Sequence, residues 1–263
     1  MSLGSRYIRN SDRVKAKKSL GQHFLRDEEI AARIVDSLQP SVSNVFEIGP
    51  GMGVLTQYLL QRNDLNLCAI ELDEESVDYL RQHFPNLKVQ YGDFLKLDLN
   101  RLFNAPFAII GNFPYNISSQ ILFRLFEYRQ IVPELVGMFQ KEVAERVAAG
   151  PGSKTYGILS VLLRAFYNVE YLFTVDESKF VPPPKVKSAV IRLTRNNVVH
   201  LDCDERRFVQ VVKVAFNQRR KTLRNALRPL DCDLNSLPAD YLSKRAEQLT
   251  VDDFIMITNL LTK

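Results

Sequence analysis

Phe107-Ala-Ile-Ile-Gly-Asn112-Phe-Pro-Tyr115-Asn-Ile-Ser-Ser119 joins an apolar run of strand length to an amide, a proline and an aromatic ring. Residues 107–110 carry no polar side chain, which suits a parallel strand buried on both faces, and Ile117, Ile121, Leu122, Leu125 and Phe126 recur at helical spacing. Asn112-Phe-Pro-Tyr115 is therefore expected in a strand-to-helix loop. Pro114 fixes its own φ, has no N–H and restricts Phe113, so the chain itself aims the carbonyls here. Asn112 adds a side-chain donor and acceptor, and Tyr115 adds a stacking face. Taken alone, the tetrapeptide reads equally well as a turn closed by an aromatic plug.

Its neighbours along the chain decide between the two. Residues 45–48 form a short strand, Gly49-Pro-Gly51-Met-Gly53 turns, and residues 54–61 are amphipathic, giving a strand, glycine turn, helix unit. Such a turn brings backbone amides close to a ligand. Val54 stands where a dinucleotide fingerprint needs its third glycine, which disfavours NAD. A second strand, residues 67–70, ends in Glu71, whose carboxylate can accept both hydroxyls of a ribose; the plainer alternative is a helix-capping acid beside Asp73, Glu74 and Glu75. A third strand, residues 87–91, runs into Gly92-Asp93-Phe94. The glycine turn, Glu71, Asp93 and Asn112 then fall on successive strand ends, and in an open parallel sheet such ends share one crevice.

Elsewhere, Asp27 is expected to cap a helix whose Ile30, Ile34, Val35 and Leu38 share a face, with Pro40 as its stop. Residues 134–139 read as a fifth strand, 140–149 and 156–167 as helices, and 169–175 and 188–193 as strands. Between those last two lies Lys179-Phe180-Val-Pro-Pro-Pro184-Lys185-Val-Lys187, a rigid extended segment with one ring and three cations. Residues 204–228 read as one helix with the basic stripe Phe216-Asn-Gln-Arg219-Arg220-Lys221-Thr222, and short helices follow around Pro229 and Pro238.

With 263 residues, 46% of them hydrophobic, the chain can build a large α/β core plus a small appendage. No apolar run reaches membrane-spanning length, and the basic residues near the start are not followed by the apolar stretch of a secretory signal. Cys68, Cys203 and Cys232 share no metal-binding spacing and point to a reducing compartment, so a cytoplasmic protein without a metal site is expected. The net charge of +5 conceals a sharper pattern. Residues 1–18 carry six basic groups against Asp12, net +5, and residues 179–228 carry thirteen against Asp202, Asp204 and Glu205, net +10; the rest must sum to −10. An acidic body with two basic regions is the layout of an enzyme that binds a polyanion, the plainer alternative being solvated helix faces.

Read together, these motifs resemble the small-subunit ribosomal RNA adenine N6,N6-dimethyltransferase family (KsgA) over nearly the whole chain. Lys18-Ser-Leu-Gly-Gln22-His23-Phe-Leu25 is similar to the family's N-terminal cofactor segment, Glu47-Ile-Gly-Pro-Gly-Met-Gly53 to its methionine-binding loop, and Glu71-Leu-Asp to its ribose-binding acid. Gly92-Asp93 resembles the residue facing the cofactor's adenine, Asn112-Phe-Pro-Tyr115 the amino-methylation motif, and Phe180-Val-Pro-Pro-Pro-Lys-Val-Lys-Ser188 the downstream aromatic segment. The family more often has Asn where His23 stands and Leu where Phe113 stands.

The resemblance implies a Rossmann-like class I methyltransferase fold: an α/β sheet with helices on both faces, plus a small all-helical C-terminal domain. Its divisions would be a basic arm and cofactor segment (1–26), a catalytic domain (27–195) and an RNA-binding domain (196–263). It implies S-adenosylmethionine as cofactor and dimethylation of two adjacent adenines near the 3′ end of 16S (small-subunit) rRNA in the assembling small ribosomal subunit. Cofactor contacts map to Gln22, His23, Leu25, Gly49, Gly51, Gly53, Glu71, Asp93 and Asn112. Catalytic roles map to Asn112, Pro114, Tyr115 and Phe180, with Tyr115 and Phe180 holding the extruded base between two rings. RNA contacts are expected at Lys185, Lys187, Arg219, Arg220 and Lys221, and a monomer with no membrane contact is expected. Three other readings stay open: a resistance-type methyltransferase of large-subunit rRNA, an RNA-binding assembly factor with a vestigial site, and a glutamine methylase of protein substrates.

Overall fold

In the computed structural model, which describes residues 14–261, the apolar runs become strands β1 (Phe24–Leu25), β2 (Asn44–Ile48), β3 (Asn66–Glu71), β4 (Lys88–Tyr91), β5 (Ala108–Asn112), β6 (Glu134–Gln140), β7 (Tyr167–Val175), β8 (Phe180–Val181) and β9 (Ser188–Arg195). The basic groups Arg6, Arg9 and Arg13 of the N-terminal arm lie outside the described residues. Among the described residues, seven strands form one sheet in the order β4-β3-β2-β5-β6-β9-β7. Strands β4 through β6 pair in parallel, whereas β9 is antiparallel to both neighbours. The sheet is therefore mixed and not uniformly parallel. No α-helix interrupts the link from β7 to β9, and strands joined without a crossover helix pair antiparallel.

Strand order reverses at β2 and β5, which pair directly as Val45↔Ala108, Phe46↔Ile109 and Glu47↔Ile110. The crevice outside the carboxyl ends at such a switch point is where a doubly wound sheet binds ligands. Alternation along the strands feeds two cores. Phe46, Ile109, Leu135 and Phe139 pack on one side, and Val45, Ala108, Ile110, Val136 and Met138 on the other.

Helices α1 (Glu28–Asp36), α2 (Thr56–Leu59) and α3 (Glu74–His83) supply Ile34, Leu59 and Leu80 to the second core. On the opposite face, α4 (Ser118–Glu127), α5 (Lys141–Ala148) and α6 (Ile158–Arg164) supply Leu122, Val147 and Leu162 to the first. Asp27 caps α1 by accepting from the Ile30 amide at 3.1 Å. Helices α7 (Glu205–Asn217), α8 (Leu223–Ala226), α9 (Ala239–Ser243) and α10 (Val251–Leu260) follow the sheet, and Phe208, Val211, Phe254 and Ile257 continue the first core without a break.

Several boundaries differ from the sequence expectation. The helix expected over 204–228 ends at Asn217, because Gln218 leaves helical geometry (φ −119°, ψ 57°) and residues 218–221 offer no apolar side chain to hold another turn on the core. Helix 156–167 contracts to α6, and Tyr167 opens β7 with its hydroxyl donating to the Val132 carbonyl at 2.8 Å. The α-helix expected over 54–61 covers only Thr56–Leu59. The proline-rich segment is not one extended run: it starts with β8, which pairs with β1 as Phe24↔Val181 and Leu25↔Phe180, and Val181–Pro182 is a cis peptide.

Candidate active site

Gly51 shows how the first strand-end turn is held. Its φ of +57° suits glycine, and a Cβ there would lie 2.9 Å from the Phe24 ring. Its amide donates to Glu71 Oε2 at 3.0 Å, while Glu71 Oε1 accepts from the amides of Leu72 (2.8 Å) and Asp73 (2.9 Å). One carboxylate thus joins the glycine turn to the end of β3. Burial raises the Glu71 pKa, and these three amides oppose the rise.

Asp73, also buried, anchors residues 17–25 across the same end of the sheet. Lys17 Nζ lies 2.5 Å from Asp73 Oδ1, Gln22 Nε2 donates to Asp73 Oδ2 at 3.2 Å, and Gln22 Oε1 accepts from the Lys17 amide at 2.8 Å. Burial alone would raise Asp73; hydrogen bonds from Lys17, Gln22 and Ser76, with the Lys17 charge, take it below the usual carboxylate range. Further along this strap, Phe24 covers Gly51 and Gly21 abuts Asn116. His23 Nδ1 donates to the Pro182 carbonyl at 2.8 Å, and the His23 carbonyl accepts from Asn112 Nδ2 at 3.0 Å.

The Asn112-Phe-Pro-Tyr115 loop is seated by its second residue. The Phe113 ring is buried on a floor made by Gly111 and Gly137, which pair in register; a Cβ on Gly137 would come within 2.0 Å of Phe113 Cε2. Phe139 packs beside it with ring centroids 4.8 Å apart, and the Phe113 amide donates to the Met138 carbonyl at 3.1 Å. Tyr115 is fixed at its far end, its hydroxyl 2.5 Å from Oγ of the buried Ser188. Burial raises the Tyr115 pKa, against the Ser188 hydrogen bond. A carbonyl only accepts, so the His23 carbonyl must face the Asn112 NH2 group; Oδ1 is left as the acceptor, and no hydrogen bond among the described residues reaches it.

A cavity of about 440 Å³ opens between these loops. It brings together Gln22, His23, Leu25, Gly49, Gly51, Gly53, Glu71, Asp93, Asn112, Pro114 and Tyr115. Asp93 sits at its edge with one oxygen accepting from the Leu95 amide at 2.9 Å. Phe180 lies elsewhere. At 2% exposure, on β8 opposite Leu25, its ring packs in the second core.

Of the expected RNA contacts, Lys185, Arg220 and Lys221 are exposed, and Lys187 pairs with Asp176 at 3.1 Å. Arg219, its side chain 41% exposed, is engaged by the chain itself: its guanidinium donates to the Lys154 carbonyl and lies 3.6 Å from Glu247, tying down the loop at 150–155.

The resemblance places Glu47 at the head of the methionine-binding loop without giving its side chain a role; it lines the cavity at 1% exposure and accepts from Thr56 Oγ1 at 2.7 Å. Burial pushes its carboxyl up to about 8, the Thr56 bond opposing and the Glu71 charge adding to the rise. An acid inside the otherwise apolar run 45–48 was the available signal. Ser188 and Asp73 went unassigned as well, because their partners are remote in sequence. Among the described residues no group of three metal-ligating side chains occurs, and no helix is long and apolar enough to cross a membrane.

The sequence profile of the ribosomal RNA adenine dimethylases matches residues 13–263. The chain belongs to that family. It is 59% identical over 255 residues to the ribosomal RNA small subunit methyltransferase A of Cytophaga hutchinsonii, covering 95% of this chain and 99% of that one. The corresponding protein of Parabacteroides distasonis is 60% identical over 251 residues, covering 93% of each. Among solved structures, a dimethyladenosine transferase from Plasmodium falciparum superposes with a TM-score of 0.72 at 28% identity, covering 89% of this chain and 95% of that one. The 23S rRNA methyltransferase ErmE also gives 0.72, at 26% identity, over 91% of this chain and all of that one. For an rRNA adenine dimethylase, the parts in hand are a ligand cavity at the switch point, an amide acceptor at its edge and a fixed aromatic ring beside it.

Proposed function

We propose that this protein transfers methyl groups from S-adenosylmethionine to N6 of two adjacent adenines near the 3′ end of small-subunit rRNA, in the assembling subunit. The observation that carries the reading is the Asn112 amide, held at Nδ2 by His23 so that Oδ1 is the acceptor beside the cavity.

The residues present fit the cofactor: a glycine turn for close backbone approach, Glu71 for ribose hydroxyls, Asp93 toward the adenine, and residues 22–25 as cover. When bound, S-adenosylmethionine supplies a methyl group already activated on a cationic sulfonium. The buried acids Glu47 and Glu71 favour a cationic ligand, since its charge offsets what burial costs them.

An adenine amine is a poor nucleophile because its lone pair is delocalised into the ring. Acceptors that take both N–H bonds tilt the lone pair out of that plane. Asn112 Oδ1 is one; the Phe113 carbonyl is the other, because the Pro114 carbonyl already accepts from the Ile117 amide and Ser118 Oγ, each at 3.3 Å. Pro114, with its fixed φ and no N–H, keeps the Phe113 carbonyl out of the helical turn that follows, and Tyr115 stacks on the target base. Positioning and electrostatics supply the rate, with no strong base required.

Lys185, Lys187, Arg220 and Lys221 meet RNA phosphates, with Arg219 holding the adjoining loop, so residues 196–263 serve as the RNA-binding part, 27–195 as the catalytic part and 1–26 as arm and cofactor cover. The protein acts as a cytoplasmic monomer. The likeness to ErmE keeps large-subunit rRNA as a second reading, because the fold alone does not separate the two substrates. The much higher identity to proteins named for the small subunit favours the first. Incubation with both rRNAs and a labelled methyl donor, then nuclease digestion and mass spectrometry, tests it. Dimethyladenosine in a 3′-terminal small-subunit fragment is expected; label confined to large-subunit rRNA would overturn it.

A further inference from the structure

The backbone of Leu95 is gripped on both sides. Its amide donates to Asp93 Oδ1 at 2.9 Å, and its carbonyl accepts from Arg124 Nη1 at 3.1 Å. The other arm of that guanidinium donates to the Leu97 carbonyl, and its Cζ lies 5.5 Å from the centre of the Phe94 ring and 4.9 Å from that of Tyr128. Asp93 and Phe94 line the cavity, and the Gly92 amide beside them donates to the Glu71 carbonyl at 2.9 Å. The turn 93–97 is thus tied to β3 at its start and to α4 at its middle and end. That helix begins at Ser118, directly after the Asn112–Tyr115 loop, so one helix carries the amide-proline-aromatic loop at its head and the Asp93 turn on its side.

Arg124 is half-buried, and its Nε is buried with no hydrogen-bond partner among the described residues. An unpaired buried donor is unfavourable, so this placement serves the two carbonyls and leaves a third donor unmatched. Arg129 is built alike, lying over Phe126 and Phe166 with its Nε unpartnered, but it pairs with Glu205 of α7, and its partners lie outside the cavity lining. We propose that Arg124 is a positioning residue for cofactor recognition: through Leu95 it fixes the Asp93 carboxylate where that group accepts from the exocyclic amine of the cofactor's adenine. This rests on the placement of Asp93 toward the adenine given above. Lysine would keep the charge but not the planar fork that spans two carbonyls.

Calorimetric binding of S-adenosylhomocysteine and of S-inosylhomocysteine reads the carboxylate directly, because the second ligand has a carbonyl where the first has an amine. The parent should prefer the adenine form by about 10-fold or more, the worth of one hydrogen bond to a charged group. Arg124→Met keeps an apolar stem and loses both donors. It should weaken the adenine form by about 10-fold and change the inosine form little, so that the preference narrows. Arg129→Met should lower the melting temperature while leaving the preference at the parental value. Where Arg124→Met does not fold, Arg124→Lys carries the test, and the preference must narrow there too. If Arg124 variants weaken both ligands alike, or lower only the melting temperature, Arg124 is a structural residue and the inference fails; it fails equally if Arg129→Met narrows the preference as much. Should Asp93→Ala narrow the preference while no Arg124 variant does, the inference fails and the placement of Asp93 stands. If Asp93→Ala leaves the preference unchanged, or the parent shows none, the placement of Asp93 fails and the inference with it.

Discussion

Asn112 Nδ2 donates to the His23 carbonyl at 3.0 Å, and that bond decides which end of the amide is available for chemistry. An asparagine is symmetric in shape but not in function: one end donates, the other accepts. Because a backbone carbonyl accepts only, the strap at residues 17–25 selects Oδ1 as the free end before any substrate arrives.

The strap and the glycine turn meet at the Glu71-Leu72-Asp73 corner, so cofactor affinity should depend on Glu71 beyond any contact with a ribose. Glu71→Ala removes the acceptor of three amides at once. Hydrogen bonds to a charged group are worth about 1.5–3 kcal/mol each, so affinity for S-adenosylmethionine should drop by about 10² or more with RNA affinity near that of the parent. Calorimetry with each ligand checks this, and unchanged cofactor affinity would remove Glu71 from the site.

Glu47 gives the cavity a pH dependence. Its folded-state pKa of about 8 stands above the ordinary 4.5, so the folded chain keeps a proton that the unfolded chain releases. The stability this group contributes is complete below pH 4.5 and is lost as pH rises through 8. Glu47→Gln stays neutral and should exceed the parent by about 2–4 kcal/mol at pH 8, a gap falling below about 1 kcal/mol at pH 5. Urea melts at the two pH values measure it. For the same reason, cofactor binding at pH 7 should release a proton, visible by calorimetry across buffers of different ionisation enthalpy.

How much of this is legible in the sequence depends on the range of the interaction. The runs 45–48, 67–70 and 107–110 announce strands, and because strand ends collect side chains local to each run, Gly51, Glu71, Asp93 and Asn112 can be placed without coordinates. The direction of β9 cannot, since apolar alternation is the same in either sense. Nor can the fate of Phe180, which is set by a two-residue pairing with Leu25 that leaves no periodicity to read. Arg219 reads as one of three equivalent cations, and only its bonds to Lys154 and Glu247 set it apart from Arg220 and Lys221.

That difference should appear in salt dependence. Arg220→Gln and Lys221→Gln should each lower the slope of log affinity against log salt by about 0.7–0.9, the change expected when one phosphate is no longer neutralised. Arg219→Gln should weaken binding through the 150–155 loop with little change of slope. Filter binding of an rRNA fragment across a salt series reads both quantities. Equal slope changes for all three would return Arg219 to the RNA interface.

Phe113 and its glycine floor predict a coupled effect on stability and rate. Gly137→Ala places a methyl group where the Phe113 ring lies, and overpacking of this kind costs about 1–3 kcal/mol. Because Phe113 stands between Asn112 and Pro114, the catalytic rate should fall about tenfold or more even in the folded fraction. The smaller side chain in the double variant Gly137→Ala, Phe113→Leu should recover part of both losses. Thermal melts and single-turnover rates on the same preparations test the coupling; a stability loss with no rate loss would separate the floor from the chemistry.

If Asn112 Oδ1 accepts from the target amine as it pyramidalises, the chemistry stands or falls on that one oxygen, and single-turnover methyl transfer by Asn112→Ala at saturating RNA and cofactor is the sharpest test. An interaction formed mainly in the transition state appears in the rate and not in binding. The rate should be lower by about 10²-fold, judged from the loss of one donor at an oxyanion site, with RNA affinity close to the parent value. A near-parental rate with only a raised KM for RNA would contradict the acceptor role and leave Asn112 as a residue that shapes the loop.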